Sequence, residues 1–452
     1  MSEVFFSADD LVDPFTGLIR ALHPVERLDG MPERYVGLTA EIADTRALGQ
    51  WPCDLVSLGT TFADPAGARI AAIGEAVERY CGNYVPNTLR YATPAELRAE
   101  GVRHWGNDTF EFFAPWQLNS AGFPFERFTE NSRVAWVDGV SADGARVAIP
   151  ASYVYLNWRG GSRRKDPWIH HLNYAGIATG QGLDDAATRG LLELVERDSL
   201  SLWWHLNLPA RGIDPASVPG LAEDLGDSRL RCHLLELPSY FGVPLVAAVV
   251  HDLELGIVAG GFSAKLDPVD TARKAVLEAI HSWVFTRGLV EADGWVFGSM
   301  RAGVLSPGLY LDHRADRSYL DAAGARSEHI RDLGAQAQVW LDPRTQAAYL
   351  PRFTNPAETI SIDELPHGAA DGMRSALAVA GHEVVVCDIT TSDVASTPLR
   401  VARVCASGLI PNAPAAFPYF GLPRWRDIAR QHAPDCDPTD PNTLLLAPPP
   451  SL

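Results

Sequence analysis

The sequence predicts an α+β fold, and three observations carry that prediction. Three long stretches, 66–83, 181–204 and 267–289, space their apolar residues as helices packed on a core do. Between and after them lie short runs rich in Val, Ile and Leu, bounded by Gly, Pro and Asp, which read as strands. Strands and helices are mixed without a clean βαβ repeat, so the class is α+β rather than a doubly wound α/β sheet.

Residues 1–55 read as an irregular entry with a strand at Tyr35-Val-Gly-Leu-Thr-Ala. Leu55-Val-Ser-Leu-Gly-Thr-Thr leads to the first helix, where Asp64-Pro65 supplies a cap and a first-turn proline. Short strands and polar turns follow, including Arg133-Val-Ala-Trp-Val, and 148–156 reads as a strand entering a basic loop, Arg159-Gly-Gly-Ser-Arg-Arg-Lys-Asp. That loop has two readings, a cover for an anion or a surface turn. Gly176-Ile-Ala-Thr-Gly180-Gln-Gly182 precedes the central helix, its glycines leaving room for a ligand near a helix N-terminus. Strands are expected at 231–237, 243–250 and 256–263, then a third helix opened by Pro268, a loop-rich stretch at 290–380, and strands at 383–388 and 399–405. The chain closes on Leu446-Ala-Pro-Pro-Pro-Ser-Leu452.

A net charge of −18 argues against nucleic acid or an anionic membrane as partner, because both select basic surfaces. No apolar run approaches the ~18 residues of a membrane span, and the acidic N-terminus is no signal peptide. The six cysteines are scattered without a Cys-x-x-Cys pair, which fits reduced thiols and a cytoplasmic protein.

The chemistry-bearing pattern is a doubled Glu-x-x-Glu-Arg. Glu75 and Glu78 with Arg79 lie in the first helix, and Glu193 and Glu196 with Arg197 and Asp198 in the second. Residues three apart share a helical face, and both faces are embedded among apolar residues. One such helix is ordinarily a salt-bridged solvated face. Two of them gather four carboxylates that repel each other unless cations lie between them. Oxygen-only ligands suit Mg²⁺, which keeps its remaining positions for water and phosphates. The pattern therefore points to a nucleoside triphosphate held through metal ions, with Arg79 or Arg197 on phosphate or carboxylate. No Walker P-loop, His-Glu-x-x-His or Gly-x-Ser-x-Gly is present, and His170, His171 and His205 read as structural.

These residues resemble the YcaO family of ATP-dependent enzymes that activate peptide-backbone amides. Ala68-Arg-Ile-Ala-Ala-Ile-Gly-Glu75-Ala-Val-Glu78-Arg79-Tyr80 looks like its Ser-x-x-x-Glu-x-x-Glu-Arg helix. The stretch from Asn173 through Gln181 and Asp185 to Glu193, Glu196, Arg197 and Asp198 is similar to its longer second signature, and Asp267-Pro to Glu278-Ala-Ile-His281 to its third helix. The resemblance implies that Glu75, Glu78, Asp185, Glu193 and Glu196 hold Mg²⁺. It implies that Arg69, Glu75, Arg79, Gln181, Asp185, Arg197 and Glu278 serve the ATP site. It also implies cyclodehydration of Cys, Ser or Thr in a ribosomally made precursor peptide to azolines, as in thiopeptide antibiotic biosynthesis, with a separate leader-binding partner protein. A homodimer is left open. The alternatives are thioamide or amidine formation, or a non-catalytic scaffold member.

The chain departs from the family pattern at several points. Ala71 stands in place of serine, Leu58 in place of the lysine of a Gly-Lys-Gly turn, Asp185 in place of glutamate and His281 in place of glutamine. The Pro-x-Pro-x-Pro end is replaced by Ala447-Pro-Pro-Pro-Ser-Leu452, and by resemblance its last residue, Leu452, is the candidate catalytic terminus. The expected layout is an N-terminal segment (1–55), a YcaO domain (56–445) and a proline-rich tail (446–452).

Overall fold

The computed structural model describes residues 6–46, 49–50, 54–306 and 308–451. Three sheets build the fold. The first is antiparallel and runs β1 (Ile19–Pro24), β2 (Tyr35–Ile42), β3 (Val56–Phe62). The second holds β4 (Arg90–Ala92), β5 (Val134–Ser141), β6 (Arg146–Pro150), β7 (Ile177–Gln181), β13 (Val384–Asp388) and β14 (Leu399–Ala406), in the order β4-β5-β13-β14-β7 with β6 paired to β5. The third holds β8 (Arg211–Ile213), β9 (Arg231–Glu236), β10 (Leu245–Asp252), β11 (Ile257–Ala264) and β12 (Thr359–Ile360), in the order β11-β10-β9-β8-β12, parallel only between β12 and β8.

Each sheet has one edge strand that runs directly into a long helix. β3 leads to α1 (Pro65–Asn83), β7 to α2 (Leu183–His205) and β11 to α3 (Pro268–Arg287). Aspartates cap two of these helices: Asp64 accepts from Gly67 N at 2.9 Å and Asp267 from Asp270 N at 3.0 Å, each followed by proline. In all three pairs a strand glycine lets the helix backbone press onto the strand. A Cβ at Gly59, Gly180 or Gly261 would collide with the backbone at Ala72, Ala186 or Ala275.

Two large cores result. One fills the space between α1, α2 and the six-stranded sheet; the other lies between α3 and the five-stranded sheet and includes Tyr35 and Phe62 of the first sheet. The three helices predicted from the sequence start and stop within two residues of those observed. The strand expected over 148–156 stops at Pro150, after which Ala151–Val154 turn into a short helix. Among the described residues no helix is long and apolar enough to cross a membrane.

The basic loop is a self-contained turn. Arg159 donates to the carbonyls of Arg164 and Asp166, Arg163 to that of Trp158 and Arg164 to that of Arg159, while Arg159 stacks on Trp168. The histidines are structural, as expected: His205 Nδ1 donates to Leu445 O at 2.6 Å and His170 Nδ1 to His171 O at 2.7 Å.

The tail is no ragged end. Its carbonyls are taken one after another by interior donors: Ala447 O by Trp204 Nε1 at 2.6 Å, Pro448 O by Trp340 Nε1 at 2.9 Å, Pro450 O by Gly260 N at 2.5 Å and Ser451 O by Gln336 Nε2 at 3.0 Å. The third of these bonds covers part of the open edge of β11. Leu452 lies outside the described residues.

Candidate functional site

The strand–helix pairs turn three helix faces toward one cleft. In α1 and α2 the first glutamate accepts an N–H near its own strand: Glu75 Oε2 from Leu58 N at 3.3 Å, and Glu193 Oε2 from Gly176 N at 3.0 Å. The second glutamate reaches the edge strand of the next pair: Glu78 Oε1 accepts from Thr179 N of β7 at 2.9 Å, and Glu196 Oε2 from Ala264 N of β11 at 3.0 Å. Edge strands leave such N–H groups unpaired, and a buried one needs an acceptor. The carboxylates thus satisfy these backbone N–H groups through one oxygen, while the second oxygen of Glu75 accepts from Arg79 and that of Glu196 lies against Arg197.

Burial dominates the electrostatics of the cleft. Burial pushes Glu78 up to about 8, with Glu75 and Glu193 adding repulsion against the opposing pull of Arg79. Burial likewise pushes Glu196 up to about 7, against Arg197, with Glu193 again repelling it. Arg79 pairs with Glu75 at 3.1 Å and lies 4.5 Å over the ring of Tyr174, whose hydroxyl donates to Asp54 at 2.9 Å. Arg197 lies 3.4 Å from Glu196 and 3.9 Å from Glu193, and its buried Nε has no hydrogen-bond partner among the described residues.

The third helix completes the cleft. Glu278 pairs with Lys274 one turn earlier and lies 3.9 Å from His281. Burial would raise its carboxyl, but Lys274 and His281 hold it below the usual carboxylate range. Lys274 feels the charges of Glu75 and Glu196 as well as Glu278, and Arg197 feels that of Glu278, so all three helices share one electrostatic site.

Of the residues singled out from the sequence, Glu75, Glu78, Arg79, Glu193, Glu196, Arg197 and Glu278 are brought together. Asp185 lies at the start of α2, accepting from Gln181 N at 2.9 Å and from Arg189 at 3.0 Å. Arg69 turns to the N-terminal segment and pairs with Asp9 at 2.8 Å. The glycines before α2 serve packing more than ligand access, since Gly180 and Gly176 are closed off by backbone and only Gly182 faces open space. Lys265 and Lys274 were missed; Lys274 was legible as the (i, i+4) partner of Glu278, whereas Lys265 lies in the short connection between β11 and α3, with no pattern to mark it.

Among the described residues no three His, Cys, Asp or Glu side chains close into a metal cage by themselves. The donors still fit Mg²⁺, which binds through one or two carboxylates and completes its shell with water and phosphate. Buried carboxylates beside Lys265, Lys274, Arg79 and Arg197 are what a metal-bound polyphosphate would neutralise on both sides.

The profile described as "YcaO cyclodehydratase, ATP- and Mg2+-binding" matches residues 61–410. A protein of the tfuA 3′ region of Rhizobium leguminosarum bv. trifolii is 30% identical over 237 residues, 48% of this chain and 53% of that one. A Methanothermobacter thermautotrophicus protein is 26% identical over 224 residues, 48% of this chain and 54% of that one. The chain spans about half the length of these two relatives. Among solved structures, a heterocyclase in complex with substrate and cofactor superposes with a TM-score of 0.67 at 19% identity, covering 98% of this chain and 56% of the other. The YcaO protein of Methanopyrus kandleri, bound with AMPPCP and Mg²⁺, gives 0.53 at 19% identity, covering 87% and 86%. With the profile spanning most of the chain and the paired glutamate helices in place, this protein belongs to the YcaO family.

Proposed function

We propose that this chain is an ATP- and Mg²⁺-dependent cyclodehydratase acting on the backbone amides of a ribosomally made precursor peptide. The observation that carries the reading is the pair of Glu-x-x-Glu-Arg helices, which gather Glu75, Glu78, Glu193 and Glu196 with Arg79 and Arg197 in one electrostatic site and bury Glu78 and Glu196 in it. Glu75, Glu78, Glu193 and Glu196 would hold metal ions, one or two carboxylates to each, with Asp185 at the margin. Arg79, Arg197 and Lys274 would orient and neutralise phosphate, and Glu278 would keep Lys274 in place. Gln181, at the open start of α2, would contact the nucleotide. Bound ATP with Mg²⁺ supplies a phosphoryl group that makes the amide oxygen a leaving group once a Cys, Ser or Thr side chain has added to the carbonyl. The chain's own contribution is positioning and charge compensation.

The substrate expected is a short Cys/Ser/Thr-rich peptide encoded beside this gene, delivered by a separate leader-binding protein. Purified protein with that peptide, partner, Mg²⁺ and ATP should give a product lighter by one water per ring. A gain equal to sulfur replacing oxygen would assign thioamide formation instead. Glu196→Gln should slow ATP-dependent turnover roughly 100-fold, the several kcal/mol that a lost metal contact removes. Normal turnover in that variant would sink the reading.

A further inference from the structure

Some donors at the cleft have nothing to bond. The Tyr35 hydroxyl, at the start of β2, belongs to a side chain only 5% exposed, has no hydrogen-bond partner among the described residues and lies within electrostatic reach of Glu278. Lys265 follows Ala264, whose N–H is held by Glu196. Its ammonium feels Lys274, Glu196, Arg189 and Glu278, yet among the described residues it pairs with none of them. Burial of a hydroxyl without an acceptor destabilises the fold, and a phenylalanine would fill the same space without that loss. A lysine set beside a second lysine is similarly unfavourable unless an anion comes between them.

We propose that Tyr35 and Lys265 bind the anionic ligand of this cleft, donating to phosphoryl oxygens of a polyphosphate on its α3 side. A carboxylate or sulfate ligand fits less well, because Glu278 acts on both donors and Glu196 on Lys265. A polyphosphate that carries its own divalent cation meets the acids through the metal and the donors through its oxygens. The inference rests on the nucleotide reading and extends it to two residues outside the glutamate pairs, one of them from the N-terminal sheet. That sheet, already bonded to Glu75 through Leu58 N, then also supplies a ligand-binding side chain.

Calorimetric titration with Mg²⁺ and a non-hydrolysable ATP analogue tests this, with thermal unfolding of the ligand-free protein measured in parallel. Tyr35→Phe removes an oxygen that has no bond to lose, so the ligand-free protein should be as stable as wild type or more so. Its affinity for the analogue should fall about 10–100-fold, one hydrogen bond to a charged acceptor. Lys265→Met keeps the stem and removes the charge, and should weaken binding by about 10-fold or more. If wild type binds and both variants bind equally well, Tyr35 and Lys265 are not ligands and this inference alone is overturned. A Tyr35→Phe protein that loses ligand-free stability in step with affinity also overturns it, because the hydroxyl then serves the fold. Wild type failing to bind the analogue at all would remove the nucleotide reading and this inference together.

Discussion

Ending the chain after Leu446 should destabilise the whole protein, and the size of the loss follows from the tail's partners. Trp204 and Trp340 are 0% and 1% exposed and Gln336 is 2% exposed, so their donors are interior. Truncation strips the acceptors from Trp204 Nε1, Trp340 Nε1 and Gln336 Nε2, and from Gly260 N on β11. Each orphaned donor costs about 1–3 kcal/mol, and water entering the emptied channel recovers part of it, so the lower edge is the better figure. Four bonds at that edge give about 4 kcal/mol, a large part of the 5–15 kcal/mol typical of a folded domain. Unfolding entropies near 2.1 cal/mol/K per residue convert this to a drop in Tm of about 4 °C for a chain of this length. Differential scanning calorimetry of the two proteins measures it, with indole fluorescence reporting entry of water near Trp204 and Trp340. A truncated protein that unfolds within about 1 °C of full length, with unchanged emission, would refute the claim that these bonds hold the tail in the core.

Two further outcomes follow from the packing and the buried histidines. Gly261→Ala places a methyl group against the backbone of Ala275 and Ala279, so α3 must move; the expected loss is about 3 kcal/mol by denaturant titration, with weaker nucleotide binding because Glu278 and Lys274 move too. Burial lowers His205 to about 4, so the unfolded chain takes up its proton first as pH falls below about 6.5; wild type should lose about 3 kcal/mol relative to His205→Gln between pH 7 and 4, and parallel pH–stability profiles for the two proteins would contradict this.

The helices were legible because each carries its own start signal and enough length for periodicity to show. Asp64-Pro65 and Asp267-Pro268 set two of the starts locally, and local signals survive in a sequence. The paired glutamates were legible for the same reason, being three residues apart on one helix. What the sequence withheld is pairing across distance. Trp204 with Ala447 and Trp340 with Pro448 are separated by 243 and 108 residues, and nothing in a proline-rich stretch marks its carbonyls as acceptors for buried indoles. The sheet orders are of the same kind, since β7 pairs with β14 across more than two hundred intervening residues. Gly180 was read as room for a ligand because a glycine's freedom looks the same in sequence whether a ligand or a helix backbone occupies the space.

The glutamates serve the fold and the site through different oxygens, and this changes how the doubled motif should be understood. Glu78 and Glu196 are each bonded through one oxygen to the edge of a neighbouring sheet, so they join the three strand–helix pairs as well as charging the cleft. A surface salt bridge needs no such partner and gains little from burial. Here burial has raised both carboxyls, a cost the unliganded protein bears and a metal-bound anion would relieve. Glutamine at either position keeps an acceptor for the strand N–H while removing the charge, whereas alanine removes both. The difference between the two substitutions therefore separates what each carboxylate does for the architecture from what it does for the ligand.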